Sequence, residues 1–397
     1  MGNSDLTYRT LCQLLSGQAC PELRRRDDIA VTSILGLDGW RLLATTARRE
    51  GVAPLLYHAL REAGWPADVP TDVQADLRHA YYTTTAVNLL VYRELSRILT
   101  ALHPIPIVVL KGAALAVTLY PSIGLRPMGD LDLLVPEERL AETVACLKAL
   151  GYVEPHPKML PGLQAMIGYD FPLQGGCDIH LTVEPHWSLI GGEESRYQPR
   201  IDWFWEQTEL VSLSGVQALV LKPTAHLLYL AAHLAIKHGE AHSPLRWFYD
   251  IHLSVTREGH RIDWNELILR AQEFRWAPAL HIALTGTTAR FATPLPAGLP
   301  ESLIKGADPR DQALVQRKTR PQTRWEMVSD ALASLNRHAR LRLLLAYVIP
   351  SRTYVRWRYK PRPAWLWPLY YPYRWFDMLR EGLTTLWRMA NKQMADG

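Results

Sequence analysis

Two apolar runs a short interval apart constrain this chain more than any other feature. The first, Ile107-Val108-Val109-Leu110-Lys111-Gly112-Ala113-Ala114-Leu115, breaks at a glycine into a helix-like segment. The second, Arg126-Pro127-Met128-Gly129-Asp130-Leu131-Asp132-Leu133-Leu134-Val135, carries two carboxylates one residue apart. In a strand, alternate side chains share a face and successive residues rise about 3.3 Å, so Asp130 and Asp132 project together roughly 6 to 7 Å apart at the backbone. Leu131, Leu133 and Val135 then enter the core. Carboxylates so placed can bridge divalent metal, and hard oxygen ligands suit Mg²⁺ (or Mn²⁺). Gly112 lets backbone come close to a ligand, and the first amides of a helix beginning near Ala113 are free donors for phosphate. Lys111 adds a point charge. The layout suits a nucleoside triphosphate held beside divalent metal.

At these residues the chain resembles the uncharacterised nucleotidyltransferase family of the DNA polymerase beta-like superfamily. The family signature is apolar-Lys-Gly, a helix, then Arg-x-x-x-Asp-apolar-Asp-apolar-apolar, here Lys111-Gly112, Arg126 and Asp130-Leu131-Asp132-Leu133-Leu134. The resemblance continues at Glu184-Pro185-His186-Trp187 and at His233, His238, Leu245-Arg246-Trp247 and Asp250. It implies metal-dependent transfer of a nucleoside monophosphate from an NTP to an acceptor, with release of pyrophosphate. Asp130 and Asp132 would hold metal together with a third acid. Lys111, Gly112 and Ala113 would position the triphosphate, with Arg126 close to the phosphates or orienting the aspartate strand. Relatives usually carry Gly-Ser where this chain has Gly112-Ala113, so a hydroxyl for the phosphate is absent, and Pro185 separates Glu184 from His186, where it favours an edge strand. Two rival classes stay open: a regulatory or nucleotide-binding protein of the same fold without catalysis, and a membrane-attached scaffold acting through its carboxyl-terminal segment. The acceptor is a sugar phosphate or other small molecule, a protein side chain or RNA, and nothing in the sequence chooses among them.

The superfamily's third carboxylate comes from a neighbouring strand, and the run from Cys177 to His186 offers two candidates. Cys177, Ile179, Leu181 and Val183 alternate with Asp178, His180, Thr182, Glu184 and His186, so parity cannot separate Asp178 from Glu184. Gly175-Gly176 reads as the hairpin turn opening this strand. The acid-x-His-Trp resemblance favours Glu184.

The rest of the chain supplies the frame. Its 397 residues, 48% hydrophobic, suffice for a sizeable core. The expected fold is α+β, a small mixed sheet with helical regions before and after it, divided at 1–103, 104–215, 216–330 and 331–397. Leucines recur at helical spacing through residues 1–100, and a long helix from Thr71 to Leu102 should deliver the chain to a first strand at Pro104-Ile105-Pro106. A helix from Pro136 to Leu150 follows the aspartates. The absence of Gly-x-Gly-x-x-Gly argues against NAD or FAD chemistry. No secretory signal, acylation pattern or membrane span is evident, and Cys12, Cys20, Cys146 and Cys177 show no paired spacing, so the expected compartment is cytoplasmic. Pro223 opens a second helical block, in which His233, Lys237 and Arg246, with His186, line a nucleotide or acceptor pocket or else bond between packed helices. Arg246 and Asp250, at i,i+4, could form an intrahelical ion pair.

The carboxyl-terminal segment is the second clear signal. Residues 331–397 hold 12 Lys or Arg against 3 Asp or Glu, whereas the remainder has 32 against 36, so all the excess positive charge lies in this segment. Tryptophans and tyrosines interleave with arginines over residues 352–376. Such a pattern suits peripheral contact with an anionic membrane, a nucleic-acid strand less readily, or a tail wrapping its rings onto the helical domain.

Overall fold

The computed structural model describes residues 3–19, 36–160, 168–191, 195–213, 215–320, 326, 329, 332, 333 and 335–380. Among these, four helices come first: α1 (Asn3–Ala19), α2 (Gly36–Arg49), α3 (Ala53–Glu62) and α4 (Thr71–Leu102). Trp40, Leu43, Ala44 and Ala47 of α2, and Leu55, Leu56 and Leu60 of α3, are buried at the spacing of one helical face. Helix α4 stops at His103, ahead of Pro104, whose ring disfavours helical backbone before it. Its length lets it serve two layers: Val73 and Leu77 join the amino-terminal helices, while Val91, Leu95, Ile98 and Leu102 pack beneath the sheet.

The sheet has six strands, β1 (Val108–Val109), β2 (Asp130–Leu134), β3 (Leu173–Gly175), β4 (Leu181–His186), β5 (Thr208–Leu213) and β6 (Val216–Leu221), in the order β3-β4-β2-β1-β6-β5. β2 runs parallel to β4 and β1 to β6, and the other neighbours are antiparallel. Helices α5 (Lys111–Thr118), α6 (Leu140–Ala149) and α7 (Ile201–Glu206) lie between strands. The mixed α/β architecture agrees with the α+β expectation. The β5–β6 hairpin, not expected from the residue pattern, extends the sheet across residue 215.

Three local expectations need correction. The first strand begins at Val108 rather than Pro104, because Pro104 and Pro106 lack N–H donors and the amide of Ile105 closes a turn onto the carbonyl of Leu102 at 2.8 Å. The strand expected from Cys177 begins only at Leu181. Gly176 takes φ 118°, and a Cβ there would sit 2.2 Å from the carbonyl oxygen of Ile179, so residues 176–180 fold back on themselves as a wide loop. Pro185 stands on an interior strand, paired with Leu133 of β2. On the other side the carbonyl of Pro185 accepts from the Phe171 amide at 2.9 Å but no amide returns the bond, so the ladder with β3 is reduced there to the isolated Asp170–His186 bridge.

Alternation divides the sheet between two cores. Val109, Leu131, Leu133, Val183 and Val220 pack toward α4 and α6, while Val108, Leu110, Leu134 and Leu221 pack toward the later helices. Asp132 shares the parity of Leu134 and so faces the second layer. That layer contains α8 (Pro223–Ala232), which continues as a π-helical turn over His233–His238, then α9 (Leu245–Glu258), α10 (Trp264–Glu273), α11 (Ala277–Phe291), α12 (Leu299–Ile304) and α13 (Pro309–Arg317). Beyond it stand α14 (Arg337–Val348), α15 (Arg352–Tyr359), a 3₁₀ turn (Ala364–Leu369) and a helix over 370–380. Among the described residues no helix is long and apolar enough to cross a membrane.

Candidate active site

The turn from β1 into α5 is made by Lys111, whose backbone is left-handed with φ 42°. That conformation is uncommon for a residue bearing Cβ. The Lys111 side chain reaches β2 and places Nζ 2.8 Å from Oδ1 of Asp132, the two side chains being 10% and 3% exposed. In the parallel pairing of β2 with β4, Asp132 stands directly opposite Glu184, and Asp130 opposite Thr182. His186, two residues past Glu184 on the same face, donates from Nε2 to the same Asp132 oxygen at 3.0 Å and lies 3.7 Å from Glu184 Oε2. Ligand atoms of Asp132, Glu184 and His186 all fall within 4.8 Å of one another.

Burial and charge oppose each other at every one of these groups. Burial alone would raise the carboxyl of Asp132, but the Lys111 ammonium and the His186 hydrogen bond overcome it and hold the group far below the carboxylate range. Burial would lower Lys111 and His186, yet Asp132 leaves both raised. Asp130, exposed at the start of β2, is raised by desolvation and by the neighbouring Asp132 charge. Both contacts to Asp132 fall on Oδ1, and among the described residues no donor reaches Oδ2. The free oxygen, the Glu184 carboxylate and nearby Asp130 make an oxygen-rich set that fits a hard divalent cation. His186, fully buried with Nδ1 unpartnered, is placed to orient Asp132 as an outer partner.

Aromatic side chains wall this cluster. The ring of Tyr229 on α8 lies 5.7 Å from Lys111 Nζ, and its buried hydroxyl has no hydrogen-bond partner. Tyr169 packs at 5.7 Å from the His186 ring and carries Lys237 Nζ over its face at 4.8 Å, while Lys237 also lies 3.6 Å from Asp170. His233 is buried beside His238 and Trp247, with ring centroids 4.7 to 4.8 Å apart. Burial, then the Lys111 and Lys237 charges, keep both imidazoles neutral, His238 lowered to about 4.

The remaining candidates separate from the acids. Arg126 is buried and grips Asp250 with both prongs, Nε to Oδ1 at 3.2 Å and Nη2 to Oδ2 at 2.8 Å, while the Tyr120 hydroxyl donates to Oδ1 at 2.7 Å. The intrahelical Arg246–Asp250 pair is therefore not formed, since a guanidinium 124 residues away takes both oxygens in the bidentate geometry. Arg246 instead is half-buried, its Nε without a hydrogen-bond partner and its pKa lowered by burial and by Arg126. A Cβ on Gly112 would stand 2.7 Å from Arg126 Nη1, so the close approach this glycine permits is that of Arg126. The methyl of Ala113 belongs to the core on the α4 side of the sheet, and its carbonyl accepts from Tyr92 at 2.7 Å. Asp178 sits on the loop before β4, 42% exposed and 3.3 Å from Arg93.

Several supporting residues carried no sequence signal. Asn88 of α4 is buried and donates to the carbonyls of Ile123 and Arg126, fixing the turn that delivers β2. Tyr120 and Tyr229 look in sequence like ordinary core aromatics, and only their polar ends distinguish them. The family model described as uncharacterised nucleotidyltransferase matches residues 37–292, spanning the amino-terminal helices, the sheet and the helical layer over it. No curated protein and no solved structure matches the chain.

Proposed function

We propose, from the premise that the chain belongs to the uncharacterised nucleotidyltransferase family, that it transfers a nucleoside monophosphate from an NTP to an acceptor hydroxyl or phosphate and releases pyrophosphate. The observation that carries this reading is the register placing Asp132 opposite Glu184 on adjacent parallel strands, beside Asp130 and with Lys111 as counter-charge. Asp130, Asp132 and Glu184 would hold Mg²⁺ or Mn²⁺. Such an ion, when bound, neutralises charge on the leaving pyrophosphate and activates the attacking hydroxyl. Glu184, the more exposed of the two paired acids, is placed to take the acceptor proton. His186 keeps Asp132 oriented. Lys111 and the first amides of α5, with the guanidinium of Arg246, form the cationic side that receives the triphosphate.

Calorimetric titration with an NTP, with and without Mg²⁺ or Mn²⁺, tests this. Binding that requires the metal supports the reading, and metal-independent or absent binding overturns it. A second reading is nucleotide binding without turnover, for Ala113 stands where the resembling family usually carries serine. Release of pyrophosphate on incubation with NTP and candidate acceptors separates the two.

A further inference from the structure

Helix α14 is apolar on two sides, and among the described residues only one of them has a partner. Leu335, Ala339, Leu343 and Ala346 form a buried cluster against Met159 and Leu160. On the opposite side Leu341, Leu344, Leu345 and Val348 recur at helical spacing with 58%, 45%, 47% and 42% of their surface exposed. An apolar stripe on a helix is ordinarily buried against a partner. The patch continues onto the following elements, because the Trp375 indole donates to the carbonyl of Val348 at 2.7 Å and the Tyr371 hydroxyl to that of Pro350 at 2.7 Å. There Trp365 is 72% exposed and Phe376 67%. The rings divide: Tyr354, Tyr359, Trp367, Tyr370 and Tyr371 are half-buried, with Tyr359 against Tyr370 and Trp367 against Tyr371, while Trp357, Trp365, Tyr373, Trp375 and Phe376 stay exposed.

Charge decides what covers this surface. Residues 335–376 contain nine Lys or Arg and no Asp or Glu. Arg352, Arg356, Arg358, Lys360 and Arg362 are exposed, and none forms an ion pair with a carboxylate among the described residues. A second copy of the same face would bring these cations together, so self-association is opposed. An anionic bilayer satisfies both halves of the patch, lipid headgroups meeting the guanidinium groups while Trp, Phe and Leu side chains enter the boundary with the acyl chains. We propose that the face formed by α14, α15 and residues 364–380 docks the protein peripherally on a membrane rich in anionic phospholipid. This goes beyond the catalytic reading and does not depend on it.

The test is flotation of the full-length protein with phosphatidylcholine vesicles, with and without phosphatidylglycerol. Expected is binding to the anionic vesicles only, lost at molar salt, where screening shortens to about 3 Å. A Trp365→Ser, Phe376→Ser variant should partition about tenfold less or weaker still. An Arg356→Gln, Arg358→Gln variant, at two exposed side chains without an ion pair among the described residues, should lose roughly fivefold per cation and show a shallower salt dependence. Melting temperature and NTP affinity should be unchanged in both. Equal binding to neutral vesicles, absence of vesicle binding, displacement from vesicles by single-stranded RNA, or a dimer dissolved by the Trp365/Phe376 changes would each overturn the proposal.

Discussion

Two buried aspartates, Asp132 and Asp250, are held in different ways. Asp250 is tied on both oxygens: Arg126 takes the two of them and Tyr120 adds a third bond. Asp132 receives Lys111 and His186 on one oxygen, the other meets no donor among the described residues, and Glu184 stands opposite it on the paired strand. A carboxylate held on both oxygens by a buried guanidinium is a structural tie, because a cation there would have to displace that guanidinium. A carboxylate satisfied on one side and faced by a second acid has capacity for a cation. The same residue type, nearly as buried, is thus sorted by its donor count.

The largest effect should come from the open aspartate. Asp130→Asn with Asp132→Asn is expected to lower metal-dependent NTP affinity by more than about 100-fold, exceeding the range for outer-shell changes, while the protein stays folded by circular dichroism. Unchanged affinity in the folded variant would erase the difference between the two aspartates. Glu184→Gln should then reduce turnover by about 10²–10⁴-fold with little change in NTP affinity. Asp178→Asn, out on its loop with Arg93, should leave turnover near wild type, and the reverse ranking would move the third carboxylate to the loop.

The tied aspartate should report on stability instead. Arg126→Met strips Asp250 of its buried counter-charge and should cost about 3–5 kcal/mol, read as a fall in denaturation midpoint. A variant with normal stability but weakened NTP binding would put Arg126 in the site after all. The smallest expected effect is a pH dependence around the same tie. Burial holds His226, near Asp250, and His252 at about 4 against an ordinary 6.5. The unfolded chain therefore binds more protons between about 4 and 6.5, so stability falls as pH is lowered through that window and is fully recovered above it. His252→Asn should flatten the slope of denaturation midpoint against pH there, and an unchanged slope would show that this imidazole is not buried neutral.

What was legible in the sequence follows from how local each signal is. Lys111-Gly112 and Asp130-x-Asp132 were readable because a strand's period and a glycine break are contained within a few residues. The choice between Asp178 and Glu184 was not readable from the residues alone, since both have the same parity in the run. The loop that removes Asp178 depends on Gly176 closing onto Ile179, and the position of Glu184 depends on which residue of another strand lies opposite it. Arg126 with Asp250 joins residues 124 apart through side chains only, and no spacing rule anticipates that. The α14 stripe was missed for a different reason. Its two apolar sides blur into one hydrophobic run in sequence, and only the packing against Met159 and Leu160 shows that one side is left over.

Lys111 is a point of frustration between levels of structure. The left-handed turn it occupies asks for glycine or asparagine, and a residue bearing a long side chain there costs about 1–2 kcal/mol. A sequence optimised for local backbone preference would place glycine at 111 and gain that amount. It would also leave Asp132 without its ammonium, a loss of about 3–5 kcal/mol for a buried charge. The loss exceeds the gain, so idealising this turn would yield a better loop and a less stable protein whose strand pair could no longer keep its acids charged side by side.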